Sequence, residues 1–236
     1  MAIQNIFKRY ELKYLLTARQ YSELIKEIGN NIRRDEYGKS TVCNVYFDTP
    51  DKRLIRRSEE KPFYKEKMRL RCYGQLKNGG TLFMELKKKY DSVVYKRREV
   101  VNEEAAKEFL ETKKPFSQIT SEIAYFMNFY NALSPSFYIS YEREAFVGKT
   151  ENDLRITFDR NILWRETDLS LKSPVYGQKL LCDGEVLMEI KTTESIPVWL
   201  ASALGKLKIY KTTFSKYGKA YAASKTKTIK GEIKYA

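Results

Sequence analysis

In the run KMRLRCYG, Lys67, Arg69 and Arg71 recur at every second residue, with Met68, Leu70 and Cys72 between them. A β-strand sends alternate side chains to opposite faces, so this spacing makes one cationic face and one apolar face. Paired guanidinium groups on one strand face can each grip phosphate oxygens through two hydrogen bonds. One such pair alone is an ordinary solvated strand face, but the pattern recurs. Arg9, Glu11 and Lys13 share a face in RYELKYLL; Glu85, Lys87 and Lys89 do so in LFMELKKK, opposite Met84 and Leu86. Lys96 and Arg98 share one in VVYKRREVV, where Arg97 interrupts the apolar side. Arg143 in YEREAF, Arg155 and Asp159 in LRITFD, and Glu185, Glu189 and Lys191 in EVLMEIK complete the set. The opposing sets Leu154, Ile156, Phe158 and Val186, Met188, Ile190 are wholly apolar. Strand-like segments that each carry one charged face predict a barrel with a charged bore.

Such a bore demands a partner. Buried charge without counter-ions or water is too costly to persist, and the chain has 44 Lys and Arg against 30 Asp and Glu, a formal net charge of +14. That excess favours a polyanion: a phosphorylated small molecule, polyphosphate, nucleic acid or an acidic membrane surface. The sequence has no histidine. This excludes Ser–His and Cys–His nucleophile pairs, a histidine base, a phosphohistidine and His-ligated metals. A metal here needs carboxylate ligands, which suit Mg²⁺ or Mn²⁺. The three cysteines, 43, 72 and 182, are widely separated and predict reduced thiols in a cytoplasmic protein. No apolar run reaches transmembrane length, and MAIQNIFKRYELKY lacks the apolar core of a secretion signal.

The elements that would hold these side chains can be placed. Apolar spacing predicts a helix in TARQYSELIKEIGNNI, capped by Thr17. TVCNVYFDT alternates Val42, Asn44 and Tyr46 against Cys43, Val45 and Phe47, a strand; Asp51–Glu60 is a short helix or loop. Strands follow over about 66–74, 81–89 and 92–101, the first two joined by the hairpin signal Asn78-Gly79-Gly80. EEAAKEFLE and SQITSEIAYFMNFYNAL are helical. Further strands are expected near 136–147, 153–159, 162–166 and 185–191, with little pattern over 168–184. Helices begin near Pro197 and Ser215, and the last dozen residues are a Lys-rich, frayed tail. Hairpins rather than interleaved β-α units give an α+β fold: an antiparallel barrel with helices packed outside. Residues 1–225 form one domain and 226–236 the tail.

The same segments resemble a known family. FKRYELKYLL, YFDT, the Arg69–Arg71 pair, ELK at Glu85–Lys87, VYKRR at Val94–Arg98, YEREAF, LRITFD, LMEIK and SKYGKAY occur in the expected order, from Phe7 to Ala223. Together they look like the VTC (vacuolar transporter chaperone) polyphosphate polymerase domain, within the triphosphate tunnel metalloenzyme (CYTH-like) superfamily. The wider superfamily often opens on Glu-x-Glu-x-Lys; Arg9 stands in the first acidic place here, which points to the VTC branch. The resemblance implies an antiparallel tunnel, a triphosphate lying on Lys and Arg side chains, and a divalent cation on glutamate. In that family, ATP donates its terminal phosphoryl group to a growing polyphosphate chain.

Candidate roles follow. Arg69, Arg71, Lys87, Arg143 and Arg155 are expected to grip phosphates and neutralise charge during transfer; Lys96 and Arg98 join them. Lys13 rests on the ELKY match, and Lys216 and Lys219, three apart on one helical face, on SKYGKAY. Glu189, mid-strand between Met188 and Ile190, is the expected metal ligand for Mn²⁺ or Mg²⁺, with a salt bridge as its plain alternative. Glu11 is a second ligand or a partner for Lys13, and Asp159 has the same two roles open. Tyr141 is a wall residue or a stacking surface for adenine; Lys88 and Lys89 are expected on the hairpin surface. The predicted activity is polyphosphate polymerase, with ATP and polyphosphate or tripolyphosphate as partners and no nucleic acid. Alternatives are a tripolyphosphatase or nucleoside triphosphatase on the same scaffold, a non-catalytic polyphosphate-binding module, and a nucleic-acid binder with exposed stacking aromatics.

Overall fold

The computed structural model describes residues 10–91 and 93–233, with the backbone alone for Tyr37 and 227–233. Arg9 lies outside the described residues. Strand β1 (Tyr10–Leu16) runs into helix α1 (Ala18–Ile28) where the sequence places a cap. Thr17 Oγ1 accepts from the Gln20 amide and Gln20 Oε1 accepts from the Thr17 amide, a reciprocal cap worth about 1 kcal/mol. Strand β2 (Ile32–Asp48) starts well before TVCNVYFDT, and helix α2 (Arg53–Glu59) follows it. Strands β3 (Tyr64–Tyr73), β4 (Leu82–Tyr90) and β5 (Val93–Val101) form an antiparallel meander. Its first turn closes through Gly80 N to Lys77 O, 2.8 Å, with Gly79 at φ +72°, a left-handed conformation that glycine adopts without strain.

Helices α3 (Glu103–Thr112) and α4 (Gln118–Tyr130) precede β6 (Ser134–Gly148) and β7 (Arg155–Arg165). The two strands expected at 153–159 and 162–166 are one. Asn161, at φ +48°, lets β7 continue through an irregularity opposite Ser140–Glu142. Then come β8 (Gln178–Lys179), β9 (Val186–Thr192), α5 (Val198–Lys206), β10 (Lys211–Thr212) and α6 (Lys216–Ile233). The two-residue strands β8 and β10 are too short to leave a periodicity. The backbone of α6 stays helical through 226–233, where fraying was expected.

Among the described residues the strands form one antiparallel sheet in the order β10-β1-β9-β7-β6-β2-β3-β4-β5, with β8 beside β7. On a flat sheet, β1 and β4 would stand roughly 29 Å apart at about 4.8 Å per step. Yet Lys87 Nζ of β4 is 3.3 Å from Glu11 Oε2 of β1. The sheet therefore curls until its charged faces meet. No strand pair joins β5 to β1 or β10 among the described residues. The expected barrel is thus observed as a curled antiparallel sheet whose charged faces meet through side chains.

The apolar faces pack outward in two clusters. Met68, Met84 and Leu86 lie under Ala106 and Phe109 of α3 and Ile123 and Phe126 of α4. Ile156, Phe158, Met188 and Ile190 lie under Leu24 and Ile28 of α1 and Leu200 and Leu204 of α5. These helices sit outside, as expected. Helix α6 does not. Tyr217 stacks on Tyr46 at 4.7 Å and packs edge-on to Phe137, in a cluster with Ile139, Tyr141, Ile162 and Leu187 on the concave face. Its hydroxyl donates to Asp48 Oδ2, 2.7 Å. One part of the bore is therefore hydrocarbon, supplied by a helix whose apolar residues Tyr217, Ala220 and Tyr221 have no other core to enter. Among the described residues, no helix is long and apolar enough to cross a membrane.

Candidate active site

The strand register turns sequence spacing into rungs. Arg69, Glu85 and Arg98 stand opposite one another across β3, β4 and β5, and Lys67, Lys87 and Lys96 form the next rung on the same face. Glu85, 1% exposed, is the centre of the first rung. Arg69 Nε donates to its Oε2 at 2.7 Å, and Arg98 Nε to its Oε1 at 2.7 Å. Lys96 Nζ also reaches Oε1, at 2.7 Å. These cations outweigh the effect of burial and hold the Glu85 carboxyl far below its ordinary range. Arg69 Nη1 also donates to Tyr46 OH, 2.9 Å. Arg71 is buried and donates to Asn44 Oδ1 at 2.8 Å and to Tyr141 OH at 3.1 Å.

The lysine rung is a different case. Like charges directly opposite on a sheet destabilise it. Lys87 has Glu11 and Lys96 has Glu85, but Lys67 has no carboxylate within ion-pair reach among the described residues. Its Nζ donates to Ser215 Oγ, 3.1 Å. Burial, then Lys87, Lys65, Lys13 and Arg69, push the Lys67 ammonium down to about 7. Burial, together with Arg98 and Arg69, brings Lys96 to about 7 despite Glu85.

The second part of the site lies on β1, β9, β7, β6 and the start of α6. Arg143 grips Asp159 bidentately, at 2.6 and 2.7 Å, and its Nη2 is 3.4 Å from Glu189 Oε2. Lys216 bridges Asp159 Oδ2 at 2.6 Å and Glu189 Oε1 at 3.0 Å. Lys13 is 3.6 Å from Glu189 and 3.2 Å from Glu11, and Lys191 is 3.6 Å from Glu189. Burial alone would raise the Glu189 carboxyl; Lys216, Lys13, Lys191 and Arg143 instead hold it well below its usual value. Glu11 is raised by burial and by Glu189, but Lys87, Lys13 and Lys191 bring it to about 2. Both carboxylates are ionised across the neutral range.

These carboxylates suit a hard divalent cation. No cluster of three or more His, Cys, Asp or Glu occurs among the described residues. Mg²⁺ and Mn²⁺ do not require one, since they bind through one or two carboxylates and complete their shells with water and phosphate oxygens. A further polar atom stands ready: Thr157 Oγ1 is buried without a hydrogen-bond partner, on the residue directly opposite Glu189. The donor set fits.

Of the residues singled out in the sequence, Lys13, Glu11, Arg69, Arg71, Lys87, Lys96, Arg98, Arg143, Asp159, Glu189 and Lys216 share this concave face. Arg155 stands directly opposite Lys191 in the strand register, but it is half exposed and paired with Asp35 at 2.6 Å. Lys219 is exposed, 6.0 Å over the Phe214 ring, nearly one turn further along α6 than Lys216, which enters the bore. Lys88 points outward to Glu66, and Arg97 outward to Glu122. Lys89, expected on the surface, shares the charged face, opposite Lys65. Tyr141 is a wall residue, 3% exposed, with Lys216 Nζ 4.6 Å over its ring. Lys67, Glu85, Lys191 and Asn44 were not assigned to the site. Strict alternation with Arg69, Lys87 and Glu189 was the signal available for the first three.

A sequence comparison with curated proteins finds no match. Among solved structures, the fold is similar to that of a candidate adenylate cyclase from Bacillus halodurans, with a TM-score of 0.58 and 15% identity over 90% of this chain and 96% of that one. It is also similar to HpAC1 from Hippeastrum, a candidate adenylyl cyclase described as having a dominant triphosphatase activity, with a TM-score of 0.53 and 16% identity over 90% and 95%. At this identity the likeness is one of fold. The VTC domain model matches residues 8–225, so the chain belongs to the VTC domain family.

Proposed function

We propose that this protein transfers the terminal phosphoryl group of ATP to an inorganic polyphosphate chain, using Mn²⁺ or Mg²⁺. The observation that carries the reading is the Lys67–Lys87–Lys96 rung: three lysines set side by side, with no carboxylate in ion-pair reach of Lys67 among the described residues. A bound polyanion restores the charge that this arrangement lacks. In phosphoryl transfer the protein mainly positions the reactants and neutralises charge spread over the transferring group. Arg69, Arg71, Arg98, Lys87, Lys96 and Arg143 supply the donors, with Lys13 and Lys216 beside them. Glu189 and Glu11 would hold the divalent ion, which supplies Lewis-acid neutralisation of phosphate oxygens. The acceptor is a terminal phosphate oxygen, already anionic near neutral pH because its second pKa is about 6. No base is required, in keeping with a chain that has no histidine. In this reading the curled sheet wraps the phosphate chain as a tunnel, residues 1–225 act as one domain with a Lys-rich tail after it, and the free cysteines belong to a cytoplasmic protein.

A second reading is hydrolysis of tripolyphosphate or a nucleoside triphosphate on the same wall, favoured by the triphosphatase activity of the Hippeastrum protein of similar fold. One incubation separates them. Pure protein with ATP and Mn²⁺ is expected to yield phosphate chains that lengthen with time. Free phosphate alone would replace polymerase with triphosphatase. Polyphosphate binding without either product would make the protein a binding module. Glu189→Gln is expected to abolish metal-dependent ADP release while sparing polyphosphate binding.

A further inference from the structure

Sequence spacing predicts that the guanidinium forks of the bore each grip phosphate oxygens through two hydrogen bonds. The geometry around Glu85 is different. Arg69 places both Nε and Nη2 on Glu85 Oε2, at 2.7 and 2.6 Å. Arg98 places both Nε and Nη2 on Oε1, at 2.7 and 2.5 Å. Each arginine therefore spends its Nε edge on one carboxylate. A guanidinium is planar and rigid, so fixing its Nε–Nη2 edge also fixes the direction of its Nη1–Nη2 edge, about 120° away in the same plane. For Arg69, Tyr46 OH holds Nη1 from the side, at 2.9 Å. Glu85 sits between the two arginines on a single rung, and it is 1% exposed.

A metal has no place on this carboxylate. Both oxygens are taken by Arg69, Arg98 and Lys96, and Arg71 Nε lies 3.9 Å away. A divalent ion arriving there would meet four cations at contact range. Glu85 thus differs in closeness from Glu189, whose four cations stand 3.0–3.6 Å away, and from Glu11, whose lysines stand at 3.2 and 3.3 Å.

We propose that Glu85 is a positioning residue of the phosphate site: it fixes the Nε edges of Arg69 and Arg98 so that their outer edges form a preformed pair of clamps, and it takes no part in metal binding. This rests on the polyanion reading given above. It also explains why an anionic residue lies in a wall meant for anions. Without it, two flexible arginines on the strands either side of β4 would each have to be ordered by the ligand, at the ligand's expense.

The charge of the site makes the test one of sign. Glu85→Gln removes a negative charge from a cationic wall. If Glu85 were a counter-charge only, tripolyphosphate would bind the variant more tightly. Positioning predicts the reverse: tripolyphosphate binding weaker by about 10-fold in titration calorimetry, because preorganisation is lost, with part of it regained in Glu85→Asp. Mn²⁺ affinity stays at the wild-type value. Equal or tighter tripolyphosphate binding, or a loss of Mn²⁺ affinity, overturns the proposal. A second readout needs neither activity nor a ligand. In the wild type, the Arg69 and Arg98 Nε–H groups should give two downfield, slowly exchanging ¹⁵N–¹H signals, assigned by Arg69→Lys and Arg98→Lys. Their absence from the folded wild-type protein overturns the proposal even if Glu85→Gln does not fold. Failure of the wild type to bind tripolyphosphate would instead overturn the functional reading and leave these signals to decide the alignment.

Discussion

Lys216→Met tests the electrostatic organisation of the bore most directly. Lys216 Nζ lies 2.6 Å from Asp159 and 3.0 Å from Glu189, its side chain 9% exposed and Asp159 fully buried. Methionine keeps much of the length and none of the charge. Removing one partner from a buried pair costs 3–5 kcal/mol because the remaining charge is left uncompensated. Arg143 still holds Asp159 bidentately, and Lys13 and Lys191 remain near Glu189, so the lower end, about 3 kcal/mol, is expected. For a chain of this size that is a fall in Tm of about 6–12 °C. The pH dependence has a definite sign. Both carboxyls are held below their unfolded values in the folded state. Their contribution is complete above an unfolded pKa of about 4 and is lost as pH falls through the folded values. Lys216 is raised in the folded state, so its share is complete below about pH 10 and is lost only above that. Wild type and variant should therefore differ most between about pH 5 and 10 and converge in acid. Thermal denaturation at pH 7 and at pH 3 measures both. A fall in Tm below about 2 °C at pH 7, or a gap undiminished at pH 3, would refute the reasoning.

Three further outcomes are expected. Lys67 and Lys96 give up their protons near pH 7, so tripolyphosphate should bind with proton uptake at pH 8, and Lys67→Met should reduce that uptake; calorimetry in buffers of different ionisation enthalpy reads it. Arg155→Ala should change turnover by less than about 3-fold, because a half-exposed ion pair contributes little, whereas Arg69→Ala should abolish it; steady-state kinetics on the two variants decide. Tyr217→Phe removes the 2.7 Å hydrogen bond to buried Asp48 and should lower stability by about 1–3 kcal/mol, read as a shift in urea midpoint with unchanged slope.

The charged wall was legible because a strand alternates strictly: Arg69 and Arg71, Glu85 and Lys87, Lys96 and Arg98 could be assigned to one face without knowing which strands pair. Register was not legible. Nothing in the separate segments shows that Glu85 falls opposite both Arg69 and Arg98, and so its role as their shared anchor could only come from the pairing of β3, β4 and β5. The plug was hidden for another reason. SKYGKAYAASK is tyrosine- and alanine-rich without a strong apolar stripe, and it is the Tyr46–Tyr217 stack, the Asp48 hydrogen bond and the Lys216 ion pairs that assign it to the bore. Arg155 obeys the same alternation as Asp159 and falls opposite Lys191, but its pairing with Asp35 and its exposure could not be read from spacing, which carries no depth.

The Lys87–Glu11 contact has a consequence for the width of the bore. Strands β1 and β4 lie far apart along the sheet, and this ion pair draws them together across it. Added salt weakens such a contact while leaving backbone hydrogen bonds intact, so the spacing of the two walls is tied to ionic strength while the ladder itself is not.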